Sequence, residues 1–517
     1  MKHWRKSPGS WMAVLSVALA ACGGNEEAPR EEAPTQQRPA GFGFRMGAGG
    51  NDYGKDVTVD AAGNVYATGY IASTVDFEPG PGTVELTGSA PADIYLAKYD
   101  AAGALLWARR MGAAGADMPH SVIIDPRGDV LLFGYFSGAV DFDPGAGTAN
   151  VVSRGARDIF VAKYDPSGGF LGAFGFGGTG DDEGMDLEVD AAGNLYITAL
   201  LTGTADVDPG TGVVEHTVAG PGDVFVAKYG ADFSHQWSFR VGGAEEDQGA
   251  GIDVDGQGNV YVSGSFQGTV DFDPGAGERL LTSAGVNDLF VAKYSASGGH
   301  LWSHRMGGPG NDVMAPGGID LDASGRVLTT GRFSGTVDFD PGVGVSPLQS
   351  AGLEDVFVMR FRPEGAYDLA FRLGGSAQDG GHRVVVDAAG DILVGGWFRD
   401  TTDFDPGAGT ASVTAAGTGG ASDLFVAKYR ADGGFVWTRT LGGQVTGGES
   451  GSIVAGLATD SERNVLMTGR LFGSADVDPG DTRQELASAG GSDVVLVKFT
   501  PEGQLWRAPL TLSGGLP

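Results

Sequence analysis

A single cysteine, Cys22, occurs in 517 residues, which excludes an internal disulfide, so no covalent staple constrains the chain. Positive charge is scarce, with 34 Lys and Arg against 65 Asp and Glu, a formal net charge of −31. A surface this negative repels phosphate backbones, and nucleic acid is excluded as a partner. Histidine is sparse, and His120, His216, His235, His300, His304 and His382 are scattered along the chain. No HExxH, nucleophile elbow or phosphate loop accompanies them, so no familiar catalytic motif is present. Beyond residue 40 the 3.6-residue helical period is missing as well.

What is abundant is glycine, 91 residues of it, and a recurring string. DFDPG or a close variant begins at Asp76, Asp141, Asp206, Asp271, Asp338, Asp403 and Asp476, in steps of 65, 65, 65, 67, 65 and 73 residues. A fixed period of this size is one supersecondary unit copied in tandem. In the first unit, residues 56–60, 64–71, 93–99 and 105–111 alternate Val, Ile, Tyr and Phe with small or polar residues, the period-two mark of half-buried strands. Gly, Asn, Asp and Pro fill the gaps, and residues 74–87 form an additional arm turning at Pro-Gly-x-Gly. The pattern predicts an all-β fold, a single seven-bladed β-propeller of four-stranded repeats over residues 41–517. A parallel β-helix, the rival, has far shorter coils. The strand type that carries Trp occurs eight times, near Phe42, Trp107, Gly172, Trp237, Trp302, Leu369, Trp437 and Trp506. Either the segment at Phe42 or the one at Trp506 closes the ring.

The first 40 residues give an address. Lys2, Arg5 and Lys6 precede an apolar stretch at 11–21, too short for the ~20 residues that span a bilayer. It ends Leu19-Ala20-Ala21-Cys22, which resembles the bacterial lipobox. Residues 1–21 are therefore expected to be a lipoprotein signal peptide, with Cys22 lipidated and the protein held to the outer membrane. Residues 22–40, rich in Glu, Pro and Gln, read as a flexible tether.

The succession GNVYxTGxFxGTVDFDPGxG, DxFVAKYD and LWxxRxGG, carried for example by residues 258–277, 288–294 and 301–308, resembles the SBBP β-propeller repeat family of secreted and surface-attached bacterial proteins. The resemblance implies a propeller in an extracytoplasmic setting and no established activity.

Three acidic positions recur in step. The arm pairs are Asp76/Glu78, Asp141/Asp143, Asp206/Asp208, Asp271/Asp273, Asp338/Asp340, Asp403/Asp405 and Asp476/Asp478. Residues i and i+2 of a strand face one side, so each pair offers two carboxylates for Ca²⁺ or, alternatively, for bracing turn amides. The second set is Asp52, Asp117, Asp182, Asp247, Asp312, Asp379 and Glu449, and the third is Asp93, Asp158, Asp223, Asp288, Asp355, Asp423 and Asp493. The repeated Trp reads as packing between blades, and the Lys-Tyr ending the third strand as a strand edge.

The expected function is a lipid-anchored binding or scaffold module, monomeric, for a protein or polysaccharide partner. The alternative is a surface hydrolase or lyase using blade-specific acids at the central channel. Polar residues unique to single blades and converging at one channel mouth favour the enzyme, whereas ring-symmetric ones favour the scaffold. The most deviant stretches, 313–316 and 444–452, are where specificity is expected.

Overall fold

The computed structural model describes residues 41–89, 91–417, 420–443, 451–478 and 483–508. The expected signal peptide, Cys22, the tether and Glu449 lie outside the described residues. Among the described residues every regular element is a strand. In blade 1 the strands Tyr53–Val59, Val65–Ile71, Asp93–Tyr99 and Leu105–Met111 pair antiparallel in chain order, and the arm hairpin Thr74–Asp76/Glu85–Thr87 leaves between the second and third. The third strand is buried along its whole length, as expected for a strand flanked by a pairing partner on each side and a neighbouring blade on each face.

Six further units repeat this order. Their innermost strands, Met118–Ile124, Glu183–Val189, Gln248–Val254, Val313–Leu321, Gly380–Val386 and Ile453–Thr459, follow Tyr53–Val59 round the axis. Each packs on the next, and the last returns to the first. The chain is a seven-bladed β-propeller.

The two ends of the chain close it jointly. Gly43–Met46 pairs with Asp493–Phe499 in the register Gly43↔Val497 to Met46↔Val494. Leu505 continues the same edge opposite Phe499, and the amide of Trp506 donates to the Lys498 carbonyl at 2.8 Å. The Phe42 amide donates to the Trp506 carbonyl at 2.9 Å. In blade 1 a single strand sets Leu105 opposite Tyr99 and Trp107 opposite Lys98. Blade 7 assembles the same outer strand from two pieces, so both expected closers are used and neither is surplus.

Neighbouring blades dock through the repeated tryptophan. The Trp107 indole N–H donates to the Pro166 carbonyl of the next blade at 3.2 Å, and Trp237, Trp302 and Trp437 do likewise to Ala296, Pro363 and Pro501. The ring lies on Gly168, whose φ is +80° and where a Cβ would meet the indole at 3.1 Å. Glycine therefore satisfies both the turn and the docking surface.

Every innermost strand also carries a β-bulge. In blade 1 Gly54 and Asp56 pair with consecutive residues, which leaves Lys55 outside the ladder. Blades 2, 3, 4, 6 and 7 skip one residue at the same step. Blade 5 skips four, from Met314 to Ile319, and this is where the 67-residue repeat holds its additional residues.

Closure rests on few residues, so it is sensitive to them. Phe44 is buried against Tyr99, with ring centroids 5.0 Å apart. Phe44→Ala is expected to destabilise the ring by about 3–5 kcal/mol, read as a lower midpoint in denaturant unfolding.

Candidate binding site at the axial channel

The repeated polar residues close onto the scaffold itself. In every arm the Oδ1 of the first Asp accepts the amides two and eight residues on, as Asp271 does from Asp273 at 3.0 Å and Arg279 at 2.7 Å. Asp76, Asp141, Asp206, Asp338, Asp403 and Asp476 repeat the arrangement. The second acid accepts the amide of the glycine two residues further on. Glu78 takes it from Gly80, Asp143 from Gly145, Asp208 from Gly210, Asp273 from Gly275, Asp340 from Gly342 and Asp405 from Gly407, all at 2.8–2.9 Å. Asp478, the second acid of blade 7, accepts from the Arg507 guanidinium at 2.5 Å. The residue between the two acids, Phe77 in blade 1, is fully buried, which sets both carboxylates on the outer side.

The arm pairs were expected to offer carboxylates to Ca²⁺ or to brace turn amides, and the bracing is what their geometry displays. Among the described residues no three His, Cys, Asp or Glu side chains are grouped as a metal ion would need. That holds for Asp76/Glu78, Asp141/Asp143, Asp206/Asp208, Asp271/Asp273, Asp338/Asp340, Asp403/Asp405 and Asp476/Asp478 alike. Blades 1, 3 and 7 do set a third acid, Glu85, Glu215 and Glu485, opposite the first Asp across the arm hairpin, but that first Asp is already held by two turn amides. A calcium ion there would have to complete its six to eight oxygens from turn carbonyls and water.

The second acidic set ties the loop entering each blade to the end of its second strand. Asp52, fully buried, accepts Ala48 N–H at 3.2 Å and Ala72 N–H at 3.0 Å. In blade 7 this bracing falls to Ser452, whose hydroxyl accepts the Phe472 amide at 3.1 Å. The third set is also buried, and five of its members meet arginines from the outer strand, with Asp223–Arg240 at 2.6 Å, Asp493–Arg45 at 2.7 Å, Asp355–Arg372 at 2.5 Å, and Asp93–Arg110 and Asp288–Arg305 paired likewise. The lysine ending the third strand is not an edge residue. Lys163, Lys428 and Lys498 are buried, and their ammonium groups meet Asp125, Asp387 and Asp460 of the first turn at 2.7, 2.9 and 2.8 Å. A buried Lys needs such a partner, and the repeating Asp of that turn was the signal for it.

The residues that do not repeat gather around the axis. A cavity of about 350 Å³ is lined by all seven innermost strands, and Asp56, Asp186, Glu188, Asp253, Asp320 and Arg383 supply its charged lining. Arg383 crosses the channel. Its guanidinium donates to the carbonyls of Ala455 (2.8 Å), Gly317 (3.2 Å) and His120 (3.2 Å), in blades 7, 5 and 2, and lies 3.5 Å from the Asp56 carboxylate of blade 1. The blade 5 bulge makes this possible. Gly317 has φ +63°, and a Cβ there would overlap the guanidinium.

Four of the carboxylates stitch blades together. Asp56 accepts the Val122 amide, Asp186 that of Ile252, Asp253 that of Leu321 and Asp320 that of Val386, at 2.9, 3.0, 2.8 and 2.6 Å, each in the next blade. Glu188 accepts the amide of its neighbour Val189 at 2.9 Å and bridges no blades. Glu188, Asp253 and Asp320 also line a second cavity of about 610 Å³ at the first-turn mouth between blades 4 and 5. Burial raises Glu188 to about 8, with Asp186, Asp320 and Asp56 adding to the rise. Burial likewise lifts Asp320 to about 7, and Asp253 well above the carboxylate range, the latter helped by Glu188 and Asp320. A carboxyl in this state keeps its proton at neutral pH and can donate it. The sequence marked 313–316 as deviant but gave no sign that Glu188, Asp253 and Asp320, at one strand position in three successive blades, meet here.

These shifts have a definite sign for stability. The folded state binds the protons more tightly than the unfolded chain, so the stabilisation is complete below the ordinary carboxylate range and is lost as pH rises towards about 8. The melting temperature is expected to fall between pH 7 and pH 8, above the range where the lowered histidines oppose it, and Glu188→Gln to flatten that fall and be the more stable protein at pH 8.

Comparison with known proteins agrees with this architecture. Residues 236–265, from the outer strand of blade 3 to the second strand of blade 4, match the family described as SBBP, beta-propeller repeat. The chain is 22% identical over 480 residues to an uncharacterized WD repeat-containing protein, L264, of Acanthamoeba polyphaga mimivirus, covering 78% of this chain and 34% of the relative. It is 23% identical over 322 residues to the regulatory protein FlaEY of Caulobacter vibrioides, covering 55% of this chain and 33% of that one. The chain thus spans about a third of the length of these curated relatives. Among solved structures it is similar to the Neurospora crassa Pan2 WD40 domain, at 8% identity and a TM-score of 0.41, covering 91% of this chain and 100% of the other. The match to the SBBP beta-propeller repeat lies at residues 236–265, within a ring of seven blades.

Proposed function

We propose that this protein is a lipid-anchored, extracytoplasmic binding module, with a protein or polysaccharide partner that engages the ring at a mouth of its channel. The carrying observation is the ring symmetry of the repeated polar residues, which recur from blade to blade and are hydrogen-bonded within the scaffold itself. A propeller fold is in keeping with an interaction or scaffold role. The sequence around Cys22 supports the anchor. Calcium at the arm pairs is the added ligand of this reading, since each pair holds two carboxylates beside turn carbonyls.

A second reading, a hydrolase or lyase acting on a polysaccharide, is favoured by one observation. Glu188, Asp253 and Asp320 come from three different blades and converge at one mouth, and Glu188 is held protonated there.

Two experiments separate these readings. Cells fed an alkynyl fatty acid are expected to label the full chain in the membrane fraction, and Cys22→Ser to lose label and membrane together; an unlabelled wild type removes the anchor. On a panel of polysaccharides the full chain is expected to release no new ends between pH 5 and 8. Turnover that Glu188→Gln abolishes would replace the module by the enzyme.

A further inference from the structure

The arm-side mouth of the channel, beyond Arg383, differs from the acidic one. The bulge of each innermost strand sets one residue outside the ladder: Lys55, His120, Met185, Ala250, His382 and Ala455 in the six blades of regular length. A bulge re-aims its side chain and is frequent beside functional sites. Three of these residues are basic and stand on blades 6, 1 and 2, with only the small Ala455 of blade 7 between them. Met185 and Ala250, on blades 3 and 4, are apolar.

The second strands repeat this polarity one step further out. At the position paired with the start of each innermost strand, blades 6, 7, 1 and 2 carry Trp397, Arg470, Tyr70 and Tyr135. Blades 3 and 4 carry Leu200 and Ser265 there. Half of the mouth is therefore basic and aromatic, in a protein whose net charge is −31. The side chains pack in two contact groups. Arg470 lies 5.2 Å from the centroid of the Tyr53 ring, which packs on Tyr70 at 5.6 Å, and the His120 ring packs on Tyr135 at 5.6 Å.

Lys55 is the least satisfied of them. It is half-buried, and among the described residues its ammonium meets the Tyr53 ring at 4.8 Å and no carboxylate at ion-pair distance. The third-strand lysines at the opposite end of the blades are each paired with an Asp, so an unpaired ammonium is an exception in this scaffold. Burial, then Arg470, pulls Lys55 down to about 8. Burial, then Lys55 and Arg383, holds His120 well below its ordinary range. Burial, then Arg383 and Lys55, takes His382 to about 3. Glu183 of blade 3 acts on Lys55 from beyond ion-pair distance and is itself paired with Arg157, so a negative group beside Lys55 would offset the repulsion from Arg470.

We propose that this mouth is an anion site, in which Lys55, Arg470 and the imidazole N–H of His120 hold the carboxylate or phosphate group of a small ligand. Arg and Lys supply charge-assisted hydrogen bonds, and the neutral imidazole of His120 serves as an additional donor. The site goes beyond the reading above, because a scaffold and a hydrolase could each use it, and it stands or falls without the acidic mouth.

Titration calorimetry of the full chain with glucuronate, inorganic phosphate and glucose tests it. Glucuronate or phosphate is expected to bind saturably and glucose not to bind. Glucuronate alone would assign an acidic sugar, and phosphate alone a phosphorylated ligand. Lys55 lies outside the strand ladder, so Lys55→Met is expected to keep the circular dichroism spectrum and weaken binding about tenfold or more. Arg470→Gln, as a second variant, is expected to weaken it in the same direction. The proposal is overturned if neither anion saturates below about 10 mM, or if both folded variants bind as tightly as the parent.

Discussion

A blade of this ring has two apolar faces and no layer of its own to cover them. Each therefore depends on the blades at either side, and the ring as a whole depends on the seventh blade being complete. The core is divided accordingly. Phe44 and Met46 of the closing strand share one cluster with Val57, Tyr95 and Tyr99 of blade 1 and Leu466 and Leu496 of blade 7. Stability in such a repeat is a sum of units and interfaces, but closure makes the sum circular, because losing one interface exposes two faces. That the outer strand of blade 7 is made from Gly43–Met46 and Leu505–Trp506 couples the two chain ends to one another and to every interface between.

Charge is used in two distinct ways. The recurring acids lie at loops and arms, where backbone amides need acceptors, and each is supplied with amides, an arginine or a lysine. Repetition here reflects the same local problem solved seven times. At the axis the strands cannot all solve it alike, because side chains from seven blades compete for one narrow space. Arg383 fills it once, reaching blades 1, 2, 5 and 7. Blade 5 gives up its side chain at Gly317 to let it pass. Arg383 thus separates an acidic chamber from a basic mouth, and the two ends of the channel carry opposite chemistry.

Much of the fold was legible in the chain. The period, the four strands and the arm hairpin followed from DFDPG and from period-two alternation, and the indole contacts of Trp107, Trp237, Trp302 and Trp437 lie between blades as expected. Closure was legible only as a choice between Phe42 and Trp506, because a one-dimensional pattern counts strands whole and this strand is divided. The lysines of the third strand were misread as edge residues, since their Asp partners lie some 38 to 41 residues earlier and the pairing is made by the sheet. The channel was the least legible part. Lys55, His120 and His382 look unrelated along the chain, and only the bulge register of six innermost strands shows that they occupy one position. The stretch 313–316 did announce itself, by its insertion, although what it accommodates is a side chain 66 residues away.

The most direct test of this account is hydrogen exchange, followed by mass spectrometry, of the peptide spanning residues 41–46 in the full chain. If that segment completes blade 7, its amides exchange as slowly as those of Asp493–Phe499 and open only with the ring. Exchange at the rate of a free peptide, while Asp493–Phe499 stays protected, would contradict the closure on which the channel and both of its mouths depend.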